Sequence, residues 1–93
     1  CASVTIGEGT QMGPGVQILA ADHPRDPQAR RSLLELARPV SVGSNVWIGA
    51  AAVVLPGVSV GDDSIIGAGS VVTRDIPSGV VAVGSPCRVV RTL

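Results

Sequence analysis

The sequence predicts an all-β fold: a triangular solenoid of short parallel strands with one extruded loop and a short C-terminal cap. Three observations predict it. Counted in sixes, eleven of the twelve glycines fall into two of the six phases. The residue ahead of the first glycine phase is an apolar, mostly β-branched side chain at every repeat from Ile6 to Ile18 and from Val42 to Val72. The chain also has no Phe, no Tyr and a single Trp, Trp47, so the usual source of core bulk is missing. A chain near this size hides only some 60–70% of its extended surface on folding. A core of Val, Ile, Leu and Ala then suffices only if it is repetitive or shared with partner subunits.

The repeat itself follows from the positions. Gly7, Gly13, Gly43, Gly49, Gly61, Gly67 and Gly79 share one phase, and Gly9, Gly15, Gly57 and Gly69 share another. Ahead of the first phase stand Ile6, Met12, Ile18, Val42, Ile48, Val54, Val60, Ile66 and Val72. Four residues further on come Thr10, Val16, Val46, Ala52, Val58, Ser64, Ser70 and Ile76, mostly small or β-branched. The unit aliphatic-Gly-x-x-small-x makes a short strand and a corner, with the aliphatic side chain inward and glycine supplying backbone angles that side chains forbid. Three such units close one 18-residue coil, and stacked coils form parallel ladders about 4.8 Å apart. A helix is excluded, because a period of six matches no 3.6-residue face and Gly and Pro are spread throughout.

The register stops after Ile18 and resumes in phase at Val42. Residues 20–38 between them lack glycine and gather Arg25, Arg30, Arg31 and Arg38 with Asp22, Asp26 and Glu35, which reads as a loop extruded from one corner. Pro24 and Pro27 keep its first part extended, and Gln28 to Ala37 is expected to form a short helical turn with Leu33, Leu34 and Leu36 on its apolar face. A loop this long in a compact repeat is more often functional than decorative, and it holds the single histidine, His23. The repeat decays after Val72, and residues 79–93 are read as the cap.

Charge and cysteine content exclude several classes. Seven Arg balance seven Asp plus Glu with no Lys, so there is no basic excess for nucleic acid. No apolar run approaches the roughly 18 residues of a membrane span. The start at Cys1 shows neither an initiator Met nor a signal-like stretch, and the chain is read as the interior and C-terminal end of something longer. Cys1 and Cys87 are too few and too far apart for a disulfide framework or metal knuckle; both are taken as structural, in a reducing, cytoplasmic setting.

Narrower motifs lie on this frame. They are Asp22-His23-Pro24, Arg38-Pro39-Val40, Asn45-Val46-Trp47-Ile48-Gly49, Pro56-Gly57-Val58, the run from Ile66 to Pro77, and Gly84-Ser85-Pro86-Cys87-Arg88-Val89. In order and spacing they resemble the hexapeptide-repeat acyltransferases, and within them the maltose and galactoside O-acetyltransferases and the related nodulation acetyltransferase. The resemblance covers nearly the whole chain. It implies a left-handed parallel β-helix, an acetyl-CoA-dependent transfer to a sugar hydroxyl, and a homotrimer with each site between neighbouring helices. It places the catalytic histidine on His23 and the carboxylate that orients it on Glu35. Acetyl-CoA contacts fall on Ala50, Ala68, Thr73, Arg74, Arg88 and Arg91. Serine is frequent in the family at position 50 and lysine at position 74, so Ala50 would act through its backbone N–H, and Arg74 keeps the charge. The chain then corresponds to the C-terminal part of a single β-helix domain, without the family's N-terminal acceptor-binding region.

The chemistry suits those residue types. Imidazole titrates near neutrality, so His23 can take the hydroxyl proton and return it to the leaving thiolate in a direct transfer. Glu35 would hold the ring tautomer, and an N–H near Ala50 would stabilise the oxyanion. Arg74, Arg88 and Arg91 read either as phosphate contacts for CoA or as a solvated end that stops stacking. Trp47 reads as a subunit-contact anchor, a wall of the CoA or acceptor channel, or both. Asp62 and Asp63 read as solvated turn residues. Other readings remain. A γ-type carbonic anhydrase needs three histidines where this chain has one, so no catalytic metal is expected. A xenobiotic O-acetyltransferase of the chloramphenicol type and a catalytically silent scaffold complete the set.

Overall fold

The computed structural model describes residues 3–22 and 36–93. Hexads become strands of two or three residues because each has only two or three positions between corners. Three parallel sheets result. Face A holds β1 (Val4–Ile6), β6 (Val40–Val42) and β9 (Ser59–Val60). Face B holds β2 (Gln11–Met12), β7 (Trp47–Ile48), β10 (Ile65–Ile66) and β12 (Val80–Val83), and face C holds β3 (Gln17–Ile18), β8 (Val53–Val54) and β11 (Val71–Val72). The chain passes A, B, C in order and repeats, coil upon coil, as a left-handed parallel β-helix. Among the described residues no helix is long and apolar enough to cross a membrane.

Register follows the hexads. Ser41 pairs with Ser59, Trp47 with Ile65 and Val53 with Val71, each 18 residues apart. Both recurring columns face inward: Val42, Ile48, Val54, Val60, Ile66 and Val72 are buried, and so are Val46, Ala52, Val58, Ser64 and Ser70. Each Val or Ile removed from water contributes about 1.5–3 kcal/mol, so stacked columns replace the missing aromatics. Ile6 and Met12 are in phase yet about 40% exposed. They are packed from one side only, because their coil is the first described.

The two glycine phases serve different purposes, and only one of them is conformational. Gly9, Gly15, Gly57 and Gly69 have φ between 71° and 81°, as the turn requires. In the other phase the next coil leaves no room for a side chain: a Cβ on Gly49 would lie 2.5 Å from Ala68 N, and one on Gly13 would lie 2.7 Å from Ala50 N.

The last coil is two residues short. Val54 pairs with Val72, but Val60 bridges to Ile76, so Thr73-Arg74-Asp75 turns the corner that Leu55 to Ser59 turns below. Two sequence assignments change. Ile76 belongs to the aliphatic column rather than the small one, and Gly79, at φ 68°, stacks in the left-handed column above Asp63 at φ 64°. Asp75 Oδ1 accepts from Ser59 N at 2.9 Å and ties the shortened corner down. Beyond it β13 (Arg88–Thr92) folds back antiparallel on β12.

Val4 pairs with Val40 across the inserted segment. At its base β4 (Ala21–Asp22) pairs antiparallel with β5 (Leu36–Ala37). The expected helical turn over 28–37 therefore does not include Leu36 and Ala37, whose backbone is committed to that pairing; the rest of the turn lies outside the described residues.

Candidate functional site

Three corners join the faces. Corner 1 (Gly43-Ser44-Asn45) leads into face B, corner 2 (Gly49-Ala50-Ala51) leads out of it into face C, and corner 3 (Leu55-Pro56-Gly57) returns to face A. A groove of about 460 Å³ runs over face B and corner 2, lined by Gly13, Pro14, Trp47, Gly49, Ala50, Ile65, Ile66, Gly67 and Ala68. Its floor is apolar because three coils present Gly-Pro, Gly-Ala and Gly-Ala at the same corner. Its wall is Trp47, which is 58% exposed although it is the largest apolar side chain of the molecule.

Three of the sequence-selected residues, Trp47, Ala50 and Ala68, meet in this groove. Two more lie on β13, two strands beyond Ile65 and outside the lining of the groove. The row of Cα partners Gln11, Trp47, Ile65, Val81 and Arg91 crosses face B strand by strand, so Arg91 points outward on the same face as Trp47, three strands or about 14 Å away. Arg88 pairs with Val83, whose Cγ1 occupies the space over Gly67 at corner 2. Both arginines are exposed.

The polar groups available to a ligand here are backbone donors. Among the described residues, the N–H groups of Ala50 and Ala68 have no acceptor, whereas neighbouring amides are paired: Gly49 N donates to Ile66 O at 2.8 Å, Ala51 N to Pro14 O at 2.9 Å and Gly69 N to Ala50 O at 2.8 Å. Unpaired donors in an apolar groove suit a carbonyl or oxyanion oxygen.

Thr73 and Arg74 lie elsewhere. Both are exposed at corner 3, at the far edge of face C from Ala68. The inserted segment leaves from the same corner, since Leu19 and Leu55 occupy equivalent positions below Thr73. His23 and Glu35 lie outside the described residues. Those selected residues that are described thus lie along two edges of the prism, with face C between Thr73 and Arg74 on one side and the groove residues on the other.

Pro14 and Ile65 line the groove without having been singled out. Their signal was present, since Ile65 stands 18 residues after Trp47 and must lie beside it. Asp62 and Asp63 are exposed turn residues as read, but their carboxylates are engaged: Ser44 N donates to Asp62 Oδ1 at 2.8 Å and Asn45 Nδ2 to Asp63 Oδ1 at 3.0 Å. Cys87 is 6% exposed and hydrogen-bonds Ser70; burial pushes its thiol above the ordinary value. Cys1 lies outside the described residues. No group of three His, Cys, Asp or Glu side chains converges among the described residues.

Residues 39–74 match the model of the hexapeptide repeat of succinyl-transferase. Nodulation protein L of Rhizobium meliloti is 59% identical over 88 residues, covering 95% of this chain and 48% of its own. The crystal structure of a maltose O-acetyltransferase from Clostridium difficile 630 superposes with a TM-score of 0.95 at 50% identity, over 97% of this chain and 48% of that one. A galactoside acetyltransferase in complex with coenzyme A gives a TM-score of 0.93 at 47% identity, over 96% and 44%. The chain spans about half the length of the curated relatives it matches.

Proposed function

Because the chain belongs to the hexapeptide-repeat acyltransferases of the maltose and galactoside O-acetyltransferase kind, we propose that it forms the acetyl-CoA-binding C-terminal part of a sugar O-acetyltransferase. The observation that carries this reading is the groove over corner 2, with its unpaired Ala50 and Ala68 donors, in a chain so similar to one solved with coenzyme A. The pantetheine arm lies on the apolar floor against Trp47, and Arg88 and Arg91 meet phosphates at the upper end.

Transfer is direct. His23 takes the proton of the acceptor hydroxyl as that oxygen bonds to the thioester carbonyl carbon. The carbonyl electron pair moves onto its oxygen, which accepts from Ala50 N–H. On collapse the carbon–sulfur bond breaks, and His23 returns the proton to the thiolate, leaving an acetyl ester and free CoA. Glu35 holds the histidine tautomer.

Thr73, Arg74 and the base of the inserted segment sit one prism edge away from the groove. A neighbouring copy that turns its corner 3 toward this chain's corner 2 brings the two groups together, which supports a homotrimer with shared sites; a monomer in sedimentation at micromolar concentration would remove that support. The donor, a cytoplasmic metabolite, fits a cytoplasmic setting.

The test is acetyl transfer to glucose, maltose, thiogalactosides and chloramphenicol by wild type and His23→Ala. We expect sugar acetylation, lowered by about 10²–10⁴ in the variant with CoA binding retained. Turnover on chloramphenicol alone would favour a xenobiotic acceptor. Identical background in both proteins would mean a silent scaffold.

A further inference from the structure

Corners 1 and 2 are built alike, six residues apart. At corner 1, Gly43-Ser44-Asn45 lies under Gly61-Asp62-Asp63, and at corner 2, Gly49-Ala50-Ala51 lies under Gly67-Ala68-Gly69. The third residue of each triplet is left-handed, with φ 55° and 64° at corner 1 and 61° and 71° at corner 2. The backbone therefore holds the N–H of Ser44 and of Ala50 in equivalent places. Their partners differ. Ser44 N donates to Asp62 Oδ1 at 2.8 Å, and that oxygen fills the space over Gly43. At corner 2 the residue equivalent to Asp62 is Ala68. The atoms nearest a Cβ built on Gly49 are backbone only, Ala68 N at 2.5 Å, Ala68 Cα at 2.8 Å and Gly67 C at 3.0 Å, and Ala50 N has no acceptor among the described residues. The N–H of Asp62 is also without an acceptor among the described residues, but Asp62 does not line the groove, whereas Ala50 and Ala68 do.

We infer that Ala68 is a positioning residue that keeps corner 2 uncapped: by carrying no acceptor, it leaves the Ala50 N–H free for a ligand oxygen that takes the place Asp62 Oδ1 holds at corner 1. This rests on the reading of the groove as an acetyl-CoA site, and it specifies the oxygen as the thioester carbonyl, which gains charge on attack. Corner 1 is thus an internal copy of corner 2 in its filled state. A side chain with an acceptor at position 68 would occupy the donor permanently and compete with substrate at effectively high local concentration.

Three substitutions at Ala68 and one at Asp62 test this in the isotope-labelled chain, read by the Ala50 and Ser44 amide resonances and by acetyl transfer. Ala68→Asp and Ala68→Asn both supply an acceptor, the second without charge, and Ala68→Leu supplies similar bulk with none. We expect the Ala50 amide proton to move downfield and exchange more slowly in the Asp and Asn variants, and to stay in place in the Leu variant. Transfer should fall about ten- to a hundredfold in both capped variants, the worth of one hydrogen bond to a charged group, and less in Ala68→Leu. Asp62→Ala should free the Ser44 amide and leave transfer unchanged. An unmoved Ala50 amide in folded Ala68→Asn, or equal losses in Ala68→Leu and Ala68→Asn, overturns the assignment. Failure of the wild-type chain to bind CoA would instead overturn the acetyl-CoA reading, while the amide comparison between the two corners would still be readable.

Discussion

Asn45 donates from Nδ2 to Asp63 Oδ1 at 3.0 Å, and both residues hold positive φ, 55° and 64°. Gly9 and Gly79 occupy the same column in the coils below and above. Where glycine is absent, two residue types that tolerate the left-handed region stand there and bridge each other. Asp63→Gly should therefore be nearly neutral, the lost bridge being offset by relieved backbone strain. Asp63→Val should cost about 1–2 kcal/mol or more, since a β-branched residue fits that region worst. Urea midpoints of the two variants check this; equal losses would show that the bridge, not the backbone, matters.

The two glycine phases should differ in cost. Gly69→Ala meets nothing within 4 Å, so it bears only the left-handed penalty of about 1 kcal/mol. Gly49→Ala drives its methyl to 2.5 Å from Ala68 N, where backbone must move, and should lose about 3 kcal/mol or more. Chemical denaturation of both variants ranks them, and the reverse order would contradict the close-approach account.

Cys87 gives the fold a pH dependence. Burial holds its thiol above the ordinary value near 9.0, partly countered by the hydrogen bond with Ser70. The unfolded chain releases this proton first, so stability is intact below the ordinary value and falls as pH rises through it toward the folded one. The slope is about 1.4 kcal/mol per pH unit between the two values. Cys87→Ala should be less stable at every pH for loss of packing but should lack this slope. Urea midpoints at pH 8 and pH 10 separate the cases; parallel curves would mean the thiol is not responsible.

Trp47 is the sole tryptophan and 58% exposed on the groove wall. Its emission should shift on titration with CoA. Arg88→Ala and Arg91→Ala should each weaken the titration several-fold, with the wild-type advantage shrinking at high salt as screening removes the phosphate term. No emission change at millimolar CoA would displace the ligand from face B.

Much of this was legible because a hexad leaves little freedom. Once Ile48 and Ile66 are assigned to one inward column, Trp47 and Ile65 must stand side by side on the outer face, and Ala50 and Ala68 must share a corner. Glycine's second purpose was hidden, since the two phases of Gly49 and Gly69 are legible in sequence but not that one faces a neighbouring backbone and the other open space. Gly79 kept the hexad phase by numbering alone, because the loss of two residues before Ile76 is written in pairing and not in composition. Nor does sequence show that Asp62 caps Ser44 and nothing caps Ala50. That requires knowing which amides the ladders leave over.

The closed base at Ala21–Asp22 and Leu36–Ala37 has an evolutionary consequence. Strand pairing on either side, Ile18 with Val54 and Val4 with Val40, sets the register anew when the chain returns, so nothing obliges the excursion to measure a multiple of six. Doubling its length would cost only about 0.6 kcal/mol of closure entropy. The scaffold and the segment bearing His23 can therefore drift independently: that segment can lengthen, shorten or change its sequence while the stacked coils on either side of it stay as they are.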